Sequence, residues 1–244
     1  MSYLKILREP IYTKLCLVRD IDSGEYYVEK SLMVRIDFQK QLFENEVRIH
    51  SMLDHPYIIK FAETIEDYRF LMEYAVNGNL QKRIDSNAGE KLRIKLSINF
   101  LKGLAYLHEL GYVHNDIKPS NIMITRDDRA KLADFAFSGK VGEVTFDRPP
   151  ISFMLGTEFY KPSQEKSRYV NLISNDIYAV GIVLNLLFSH GKVKEKTDTR
   201  MIENPTVKEI VRDCLNGSYK EVKRVIHSLR NRDEQLPGNE IGRG

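Results

Sequence analysis

The sequence predicts an α+β fold in which strands come first and long helices follow. Near the N-terminus, Leu15 to Val18 and Glu25 to Lys30 are typical of strands, and the turn residues Asp22-Ser23-Gly24 lie between them. Further along the chain, apolar residues recur at helical spacing, from Leu42 to Leu53 and again from Ile94 to Ala105. The 244 residues can bury a substantial core, as one large domain or as two small lobes.

Composition argues against several classes of function. A hydrophobic content of 42% and a charged content of 29% are ordinary for a soluble globular protein, and a net charge of +3 gives no reason to expect nucleic acid or a membrane as partner. Cys16 and Cys214 imply no disulfide framework and suit a reducing interior. The longest apolar run, Ile177 to Phe188, is too short to span a bilayer, and the N-terminal residues Met1 to Lys5 lack the apolar core expected of a signal peptide. We therefore expect a soluble intracellular protein of the cytoplasm or the nucleus.

A lysine and a glutamate are predicted to form a buried pair. Alternation along the second strand puts Lys30 on the same face as Val28. In the first helix, Glu46 falls within the apolar stripe that contains Leu42 and Ile49. An unpaired carboxylate in such a stripe is costly or loses its charge, so Glu46 needs a cation, and Lys30 is the nearest candidate upstream.

The stretch from His114 to Asn121 is the predicted reaction centre. Asp116, Lys118 and Asn121 bring a carboxylate, an ammonium group and an amide close together, and Pro119 prevents a continuous helix. Such a concentration of polar groups makes a poor core and a good site for chemistry.

The hairpin that follows this stretch predicts a metal site. Ile122 to Thr125 and Ala130 to Ala133 indicate two short strands that turn at Asp127-Asp128. Counting back from that turn places Asn121 opposite Asp134. An amide oxygen and a carboxylate suit Mg²⁺, particularly when phosphate oxygens complete its coordination shell.

Two motifs of the chain resemble those of protein kinases. The spacing Asp116-x-Lys118-x-x-Asn121 is similar to the catalytic loop H-R-D-x-K-x-x-N, and Asp134-Phe135-Ala136 is similar to the D-F-G element. The strand and hinge between the lobes of a kinase have a counterpart in the segment from Phe70 to Ala75.

The resemblance implies a bilobal fold with ATP bound between the lobes. It predicts one kinase domain over 1–244, with a small antiparallel-sheet N-lobe at 1–76, a mainly helical C-lobe at 77–230 and a frayed tail at 231–244. Within the C-lobe, Ser174-Asn175-Asp176 is predicted to cap a helix, and the family likeness also makes Asp176 a brace for the catalytic loop.

The resemblance also assigns roles within an ATP- and Mg²⁺-dependent serine/threonine protein kinase. Asp116 would orient the substrate hydroxyl and accept its proton, and Lys118 would stabilise the transferring phosphoryl group. Asn121 and Asp134 would hold Mg²⁺. The residues expected to bind the nucleotide are Lys30 at the phosphates, Glu46 behind it, the side chains of Leu15, Val28 and Met123, and the backbone of Glu73 and Ala75 beside the gatekeeper Met72.

The phosphate-covering glycine loop of the family is missing. Its three glycines would fall at Arg8, Pro10 and Thr13. Glycine permits close approach of the backbone to phosphate, and proline has no N–H to donate. Nucleotide binding is therefore expected to be weakened, with Arg8 or Lys14 as candidate compensating charges.

The activation segment also departs from the family. It would run from Asp134 to about Ser163, and its end lacks the glutamate of the family pattern G-T-x-x-Y-x-A-P-E. Asn115 replaces the arginine that binds an activation-loop phosphate, so phosphorylation at Thr145 or Ser152 is not expected to be a strong on-switch.

Three classes of function remain open on the sequence. Lys118 and Thr157 favour a serine/threonine protein kinase that acts on protein substrates, with a possible activator or scaffold protein as a further partner. The missing glycines and Asn115 instead encourage a pseudokinase scaffold. A small-molecule kinase shares a similar loop but is disfavoured by Lys118 and by the Gly156-Thr157 element.

Within the protein kinases, two segments resemble the Aurora-type spindle kinases most. These segments are Glu46 to His50 and Leu71 to Gly78. Polo-type cell-cycle kinases are the second choice, favoured by Ile49-His50. This resemblance implies a role in cell-cycle or spindle regulation, and a location at the spindle.

Overall fold

A five-stranded antiparallel sheet forms the N-terminal part of the protein. The computed structural model describes residues 1–9, 11–84, 88–146, 158–160, 170–193 and 195–234. The strands are β1 (Ser2–Arg8), β2 (Thr13–Arg19), β3 (Tyr26–Leu32), β4 (Phe61–Glu66) and β5 (Arg69–Glu73). They lie in the order β1-β2-β3-β5-β4, so that β3 is central and the strands β1 and β4 are the edges.

The two strands predicted from alternation are confirmed as β2 and β3, at slightly greater length. Strand β3 is buried from Val28 to Leu32, because neighbouring strands flank it and a helix covers one face. Pairing sets Lys30 opposite Leu15 on one side and opposite Phe70 on the other. The register therefore delivers the lysine side chain from the middle of the sheet.

The helix α1 (Asp37–His50) follows the sheet strand β3 in the chain and buries the stripe that the sequence predicts. Leu42, Glu46 and Ile49 are all buried on its inner face. The helix ends at His50, and Leu53 is buried just beyond that end. The prediction of a carboxylate within an apolar face is thus confirmed.

Helices form most of the remaining described chain. They are α2 (Gln81–Ile84), α3 (Glu90–Glu109), α4 (Ile173–Phe188), α5 (Pro205–Asn216) and α6 (Val222–Glu234), with 3₁₀ turns at Pro119–Asn121 and Glu158–Tyr160. Short strands lie between them: β6 (Tyr112–Val113), β7 (Ile122–Ile124), β8 (Ala130–Leu132) and β9 (Gly139–Lys140). Gly111 follows the end of α3 with φ +80°, the left-handed conformation that commonly ends a helix.

The apolar core is divided in the way a bilobal protein requires. Leu32, Phe43 and Phe70 form a small cluster within the sheet part, separate from the main cluster. The main cluster lies among the helices and includes Leu101, Phe135 and Val180. The protein therefore has the predicted α+β architecture, with a small antiparallel sheet in one lobe and a mainly helical second lobe.

Helix termini show where the sequence prediction differs from the structure. Helix α4 begins at Ile173, with Leu172 at the N-cap and no side-chain cap, so the predicted cap at Ser174-Asn175-Asp176 is wrong. Asp176 lies inside the first turns and is buried, because its carboxylate serves the neighbouring loop instead. The last helix reaches Glu234, beyond the predicted start of a frayed tail at 231, and residues 235–244 lie outside the described chain.

Among the described residues, no helix has both the length and the apolar character needed to cross a bilayer.

Gly103 permits the close contact between α3 and the chain before the sheet strand β4, and we predict that a side chain there destabilises the fold. A Cβ atom at Gly103 would lie 2.5 Å from the carbonyl oxygen of Tyr57. Overpacking against backbone typically costs about 1–3 kcal/mol, so Gly103→Ser should lower the free energy of unfolding in urea by that amount. Gly89→Ser, at an N-cap position with nothing within 4 Å, is the control. Equal stability of the two variants would contradict the packing argument.

Candidate active site

Lys30 and Glu46 form the predicted pair, and it is buried. The Lys30 ammonium lies 2.8 Å and 2.6 Å from the two carboxylate oxygens of Glu46. Glu46 is 1% exposed and Lys30 is 9% exposed. The contact joins the central strand β3 to the helix α1, so it fixes the distance between sheet and helix.

A second carboxylate shares the same ammonium. Asp134 Oδ1 lies 3.3 Å from Lys30 Nζ. Burial acts to lower the pKa of Lys30, but attraction by Asp134 and Glu46 outweighs it and raises that pKa above its usual value. Burial raises the pKa of Glu46 to about 7, against the attraction of Lys30 and with a further contribution from Asp134. One ammonium thus serves two carboxylates, which leaves this part of the site short of positive charge.

Asp134 is positioned to present a charged oxygen to solvent. Its side chain is 38% exposed, and its backbone has φ +67°, in the left-handed region that Asp tolerates better than most residues. Although burial acts to raise the pKa of Asp134, attraction by Lys30 and Lys118 lowers it to about 2. The group is therefore ionised at neutral pH.

The catalytic-loop residues converge on one carboxylate. Asp116 is buried, and its Oδ2 accepts from Lys118 Nζ at 2.7 Å and from Asn121 Nδ2 at 2.8 Å. Asn121 Nδ2 also donates to the Asp116 carbonyl oxygen at 3.0 Å. Both N–H groups of Asn121 are thus directed at Asp116, and Pro119 begins the 3₁₀ turn that brings them together.

This geometry fits a hard cation beside the loop. Because the Asn121 amide nitrogen donates to Asp116, its Oδ1 is the atom left for a metal, and its hydrogen-bond contact is a long 3.5 Å from Ser120. The excess of carboxylates over ammonium groups around Lys30 and Asp134 favours added positive charge. In the described part of the chain, no cluster of three or more His, Cys, Asp or Glu side chains offers a different metal site.

The hairpin register corrects one expectation. Strand pairing sets Ile122 opposite Leu132, and Ala133 N–H donates to the Asn121 carbonyl at 2.9 Å. Asn121 therefore faces Ala133, one residue before Asp134, and the predicted pairing of Asn121 with Asp134 is wrong by one position. The reason is the turn, in which Asp128 adopts a left-handed conformation with φ +51°.

Asp176 binds the backbone of the predicted catalytic loop. Its two oxygens accept from the backbone N–H groups of His114 and Asn115, at 2.8 Å each, and His108 Nε2 contacts it at 2.8 Å. Burial acts to raise the pKa of Asp176, but these hydrogen bonds and the nearby histidines lower it. Asn115 has φ +63°, so the chain turns sharply just before Asp116.

The predicted hinge residues lie beside a small apolar cluster. Ala75 packs with Ile59 and Ala133, and Met72 and Met123 contact the same cluster. The Ala75 carbonyl accepts from Gly78 N–H at 3.2 Å, whereas its buried N–H donates to none of the described residues.

The remaining predicted nucleotide-binding residues lie on neighbouring strands. Val28 pairs with Leu17 on one side and with Met72 on the other, and Leu15 pairs with Lys30. Glu73 carries its carboxylate 2.7 Å from Lys131.

The two candidate compensating charges lie at the end of strand β1 and at the start of strand β2. Arg8 is exposed, and Lys14 Nζ lies 3.7 Å from Glu9. Pro10 lies outside the described residues, as do the segments 147–157 and 161–169, which contain Ser152, Thr157 and the end of the predicted activation segment.

His50 belongs to the site, although the sequence analysis assigned it no role. Its ring lies 5.1 Å from the ring of Phe135 and 5.5 Å from that of Phe61, and Phe135 lies 5.1 Å from His114. His50 Nε2 donates to the Ile59 carbonyl at 2.6 Å, and Nδ1 is buried with no hydrogen-bond partner among the described residues. The sequence gives one indication of this position: His50 follows Glu46 by four residues, which puts both side chains on one face of α1.

The known proteins that are similar to this chain are kinases. The sequence model of the protein kinase domain family matches residues 11–235. The probable serine/threonine-protein kinase PBL28 of Arabidopsis thaliana is 32% identical over 209 residues, which are 81% of this chain and 53% of that protein.

Two further relatives match the chain at similar identity. The serine/threonine-protein kinase Nek1 of Mus musculus is 28% identical over 96% of this chain and 19% of its own length. The MAP kinase kinase skh1/pek1 of Schizosaccharomyces pombe is 33% identical over 60% of this chain and 42% of its own length. The chain thus spans between 19% and 53% of the length of these three relatives.

The buried His50 should make stability depend on pH. Burial lowers its pKa to about 4 from the usual 6.5, so the unfolded chain binds the proton more readily, and stability falls as the pH drops from 6.5 towards 4. Between pH 6.5 and pH 4.5 this one side chain should account for about 2 kcal/mol of lost stability. Urea unfolding of the wild type and of His50→Gln at both pH values measures the difference. The exposed His227→Gln should retain the wild-type pH dependence, and an unchanged dependence in His50→Gln would contradict the prediction.

Proposed function

The chain belongs to the protein kinase domain family, and from this membership we propose that it is a serine/threonine protein kinase. The reaction is transfer of the γ-phosphoryl group of ATP to a Ser or Thr hydroxyl of a protein substrate. The observation that carries the proposal is the meeting of Lys30 with Glu46 and Asp134, next to the Asp116, Lys118 and Asn121 contacts.

Lys30 is proposed to bind the phosphates, and Glu46 is proposed to hold Lys30 in place. A lysine held by a buried carboxylate has a fixed position and a secure charge, which suits electrostatic binding of phosphate oxygens. Leu15 on strand β2, Val28 on strand β3 and Met123 on strand β7 are proposed to line the nucleotide site. The N–H of Ala75, which has no acceptor among the described residues, and the backbone of Glu73 are proposed to pair with the base.

Asn121 and Asp134 are the proposed Mg²⁺ ligands. Bound Mg²⁺ supplies charge neutralisation at the phosphate oxygens. Asp134 offers an ionised, partly exposed carboxylate, and Asn121 offers the amide oxygen that is left after its nitrogen has bonded to Asp116.

Asp116 and Lys118 are proposed to act at the reacting atoms. The Asp116 carboxylate accepts hydrogen bonds from Lys118 and Asn121, which hold it in a position to orient a substrate hydroxyl and take its proton. Lys118 contacts Asp116 and is 25% exposed at its side chain, so its charge can also reach the transferring phosphoryl group.

Two rival functions are weighed against this proposal. A pseudokinase scaffold is favoured by the loss of the glycine loop. Against it, the chain retains the Lys30–Asp134 contact and the contacts of Asp116 with Lys118 and Asn121. A small-molecule kinase is not favoured by any observation in the described residues, and the three relatives named above are protein kinases.

The finer assignments are proposals from sequence. We propose one kinase domain with the lobe boundary at residues 76 and 77, which follows the end of strand β5. A cell-cycle or spindle role, with an activator or scaffold protein, rests on the Aurora-like and Polo-like segments alone. An intracellular location suits Cys16 and Cys214, which are buried and not in disulfides.

Asp116→Ala should remove phosphate transfer. Loss of a general base lowers the rate by about 10²–10⁴-fold, and loss of the Asn121 and Lys118 contacts adds to this. The measurement is transfer of labelled phosphate from ATP to a library of Ser- and Thr-containing peptides. Asp127→Ala, in the exposed hairpin turn, is the matched control and should remain close to wild type.

Each result that contradicts the proposed function supports one of the two rival functions. Equal background transfer by the wild type and Asp116→Ala would support the scaffold reading. Transfer to compounds of a metabolite panel, with none to the peptides, would support the small-molecule kinase.

A further inference from the structure

The backbone after the D-F-A motif is held by a neutral side chain of helix α1. Asn45 Nδ2 donates to the carbonyl oxygens of Ala136 and Ser138, at 2.9 Å each. Arg48 donates to Asn45 Oδ1 at 2.7 Å, which fixes the orientation of the amide. Since Asn45 directly precedes Glu46, the helix that carries the buried ion pair also binds this backbone.

Two further asparagines bind the same stretch from the catalytic loop and from the chain before α4. Asn115 Nδ2 donates to the Phe137 carbonyl at 3.0 Å and to Asn171 Oδ1 at 2.7 Å. Asn171 Nδ2 donates to the Lys140 carbonyl at 2.9 Å and to the Thr145 hydroxyl at 2.8 Å. Together with Asn45 these residues are called the asparagine cluster, and every amide hydrogen of its three members has an acceptor.

The packing around Asn171 leaves no room for a larger group. Asn171 is buried, and its backbone exchanges hydrogen bonds with Gly142 and Glu143 at 2.9 Å each. A Cβ atom on Gly139 would lie 1.7 Å from Thr145 Oγ1 and 2.3 Å from Asn171 Nδ2. The Thr145 hydroxyl therefore lies against the Gly139 backbone, and a phosphoryl group or a carboxylate at that position would displace the contact.

We propose that Asn171 is a positioning residue that holds residues 136–145 against the catalytic loop without a phosphate. In the family an arginine before the catalytic aspartate binds an activation-loop phosphate. Here Asn115 occupies the position of that arginine and donates a hydrogen bond to Asn171. Asn171 in turn donates a hydrogen bond to the hydroxyl of the unmodified Thr145. The effect on turnover rests on the proposed kinase function, whereas the contacts themselves do not.

Hydrogen exchange and kinetics of phosphatase-treated protein test the proposal. Asn171→Ala removes both donors, and Thr145→Val removes only the acceptor while keeping the shape of the side chain. Both should speed amide exchange in 136–145 and lower kcat for peptide phosphorylation, by about tenfold in Asn171→Ala. KM for ATP should stay within about twofold, because the residues proposed to bind the nucleotide lie elsewhere. Thr145→Ser keeps the hydroxyl and should behave as wild type.

Asn185→Ala is the matched control for general destabilisation. Asn185 is also buried, and its Nδ2 also donates to two loop carbonyls, those of Lys196 and Asp198, at 3.1 Å each. This variant should speed exchange near residues 195–198 and leave exchange in 136–145 unchanged.

The outcomes separate the proposal from the proposed function. Unchanged exchange in 136–145 of Asn171→Ala, or faster exchange with wild-type kcat, would overturn the positioning role, as would a Thr145→Ser variant that behaves like Thr145→Val. Failure of the wild type to transfer phosphate would overturn the kinase assignment. In that case the exchange data would still decide whether the asparagine cluster holds the segment.

Discussion

The buried contact between Lys30 and Glu46 is the constraint on which the candidate site depends. Two opposite charges at 2.6 Å, almost removed from water, are stable only as a pair, because loss of either leaves an uncompensated charge. The pair joins the centre of the sheet to helix α1. Through its third contact, to Asp134, it also fixes the start of the activation segment. Sheet, helix and loop thus meet at one ammonium group.

Charged and neutral side chains have different roles around the Lys30 ammonium group. The charged groups Lys30, Asp134, Asp116 and Lys118 form the site that we propose for phosphate and metal. The backbone that carries them is held mainly by neutral amides, those of Asn45, Asn115 and Asn171. A neutral amide keeps its hydrogen bonds at any physiological pH and needs no modification, so under our proposal residues 136–145 are held without a phosphate. The exception is Asp176, whose carboxylate binds the loop backbone directly.

Local patterns in the sequence were enough to predict the buried pair and the cluster of polar groups around Asp116. Glu46 could be found because a carboxylate interrupts an apolar stripe, and the polar cluster could be found because the spacing of its residues is specific. The hairpin prediction was right in its strands and wrong by one in its register, since a single left-handed residue, Asp128, shifts the count. The edge strand β1 was not predicted because its residues are exposed on both faces and give no alternation.

The contact between Asn171 and Asn115 could not be predicted from the sequence. Asn171 lies 56 positions from Asn115, and nothing in its neighbourhood marks it as a bonding partner. For Asp176 the residue pattern predicted a helix cap, which is wrong, whereas the family likeness predicted the contact with the loop backbone that the structure shows. His50 could have been recognised from its spacing to Glu46, but its aromatic neighbours come from strand β4 and the D-F-A motif.

A double-mutant cycle on Lys30 and Glu46 tests the central claim most directly. Nucleotide-dependent phosphate transfer would be measured as kcat/KM for Lys30→Met, Glu46→Gln and the double variant. If Glu46 acts only by holding Lys30 at the phosphates, the double variant should lose no more activity than Lys30→Met alone. Losses that multiply in the double variant would contradict the account, because the two residues would then act independently.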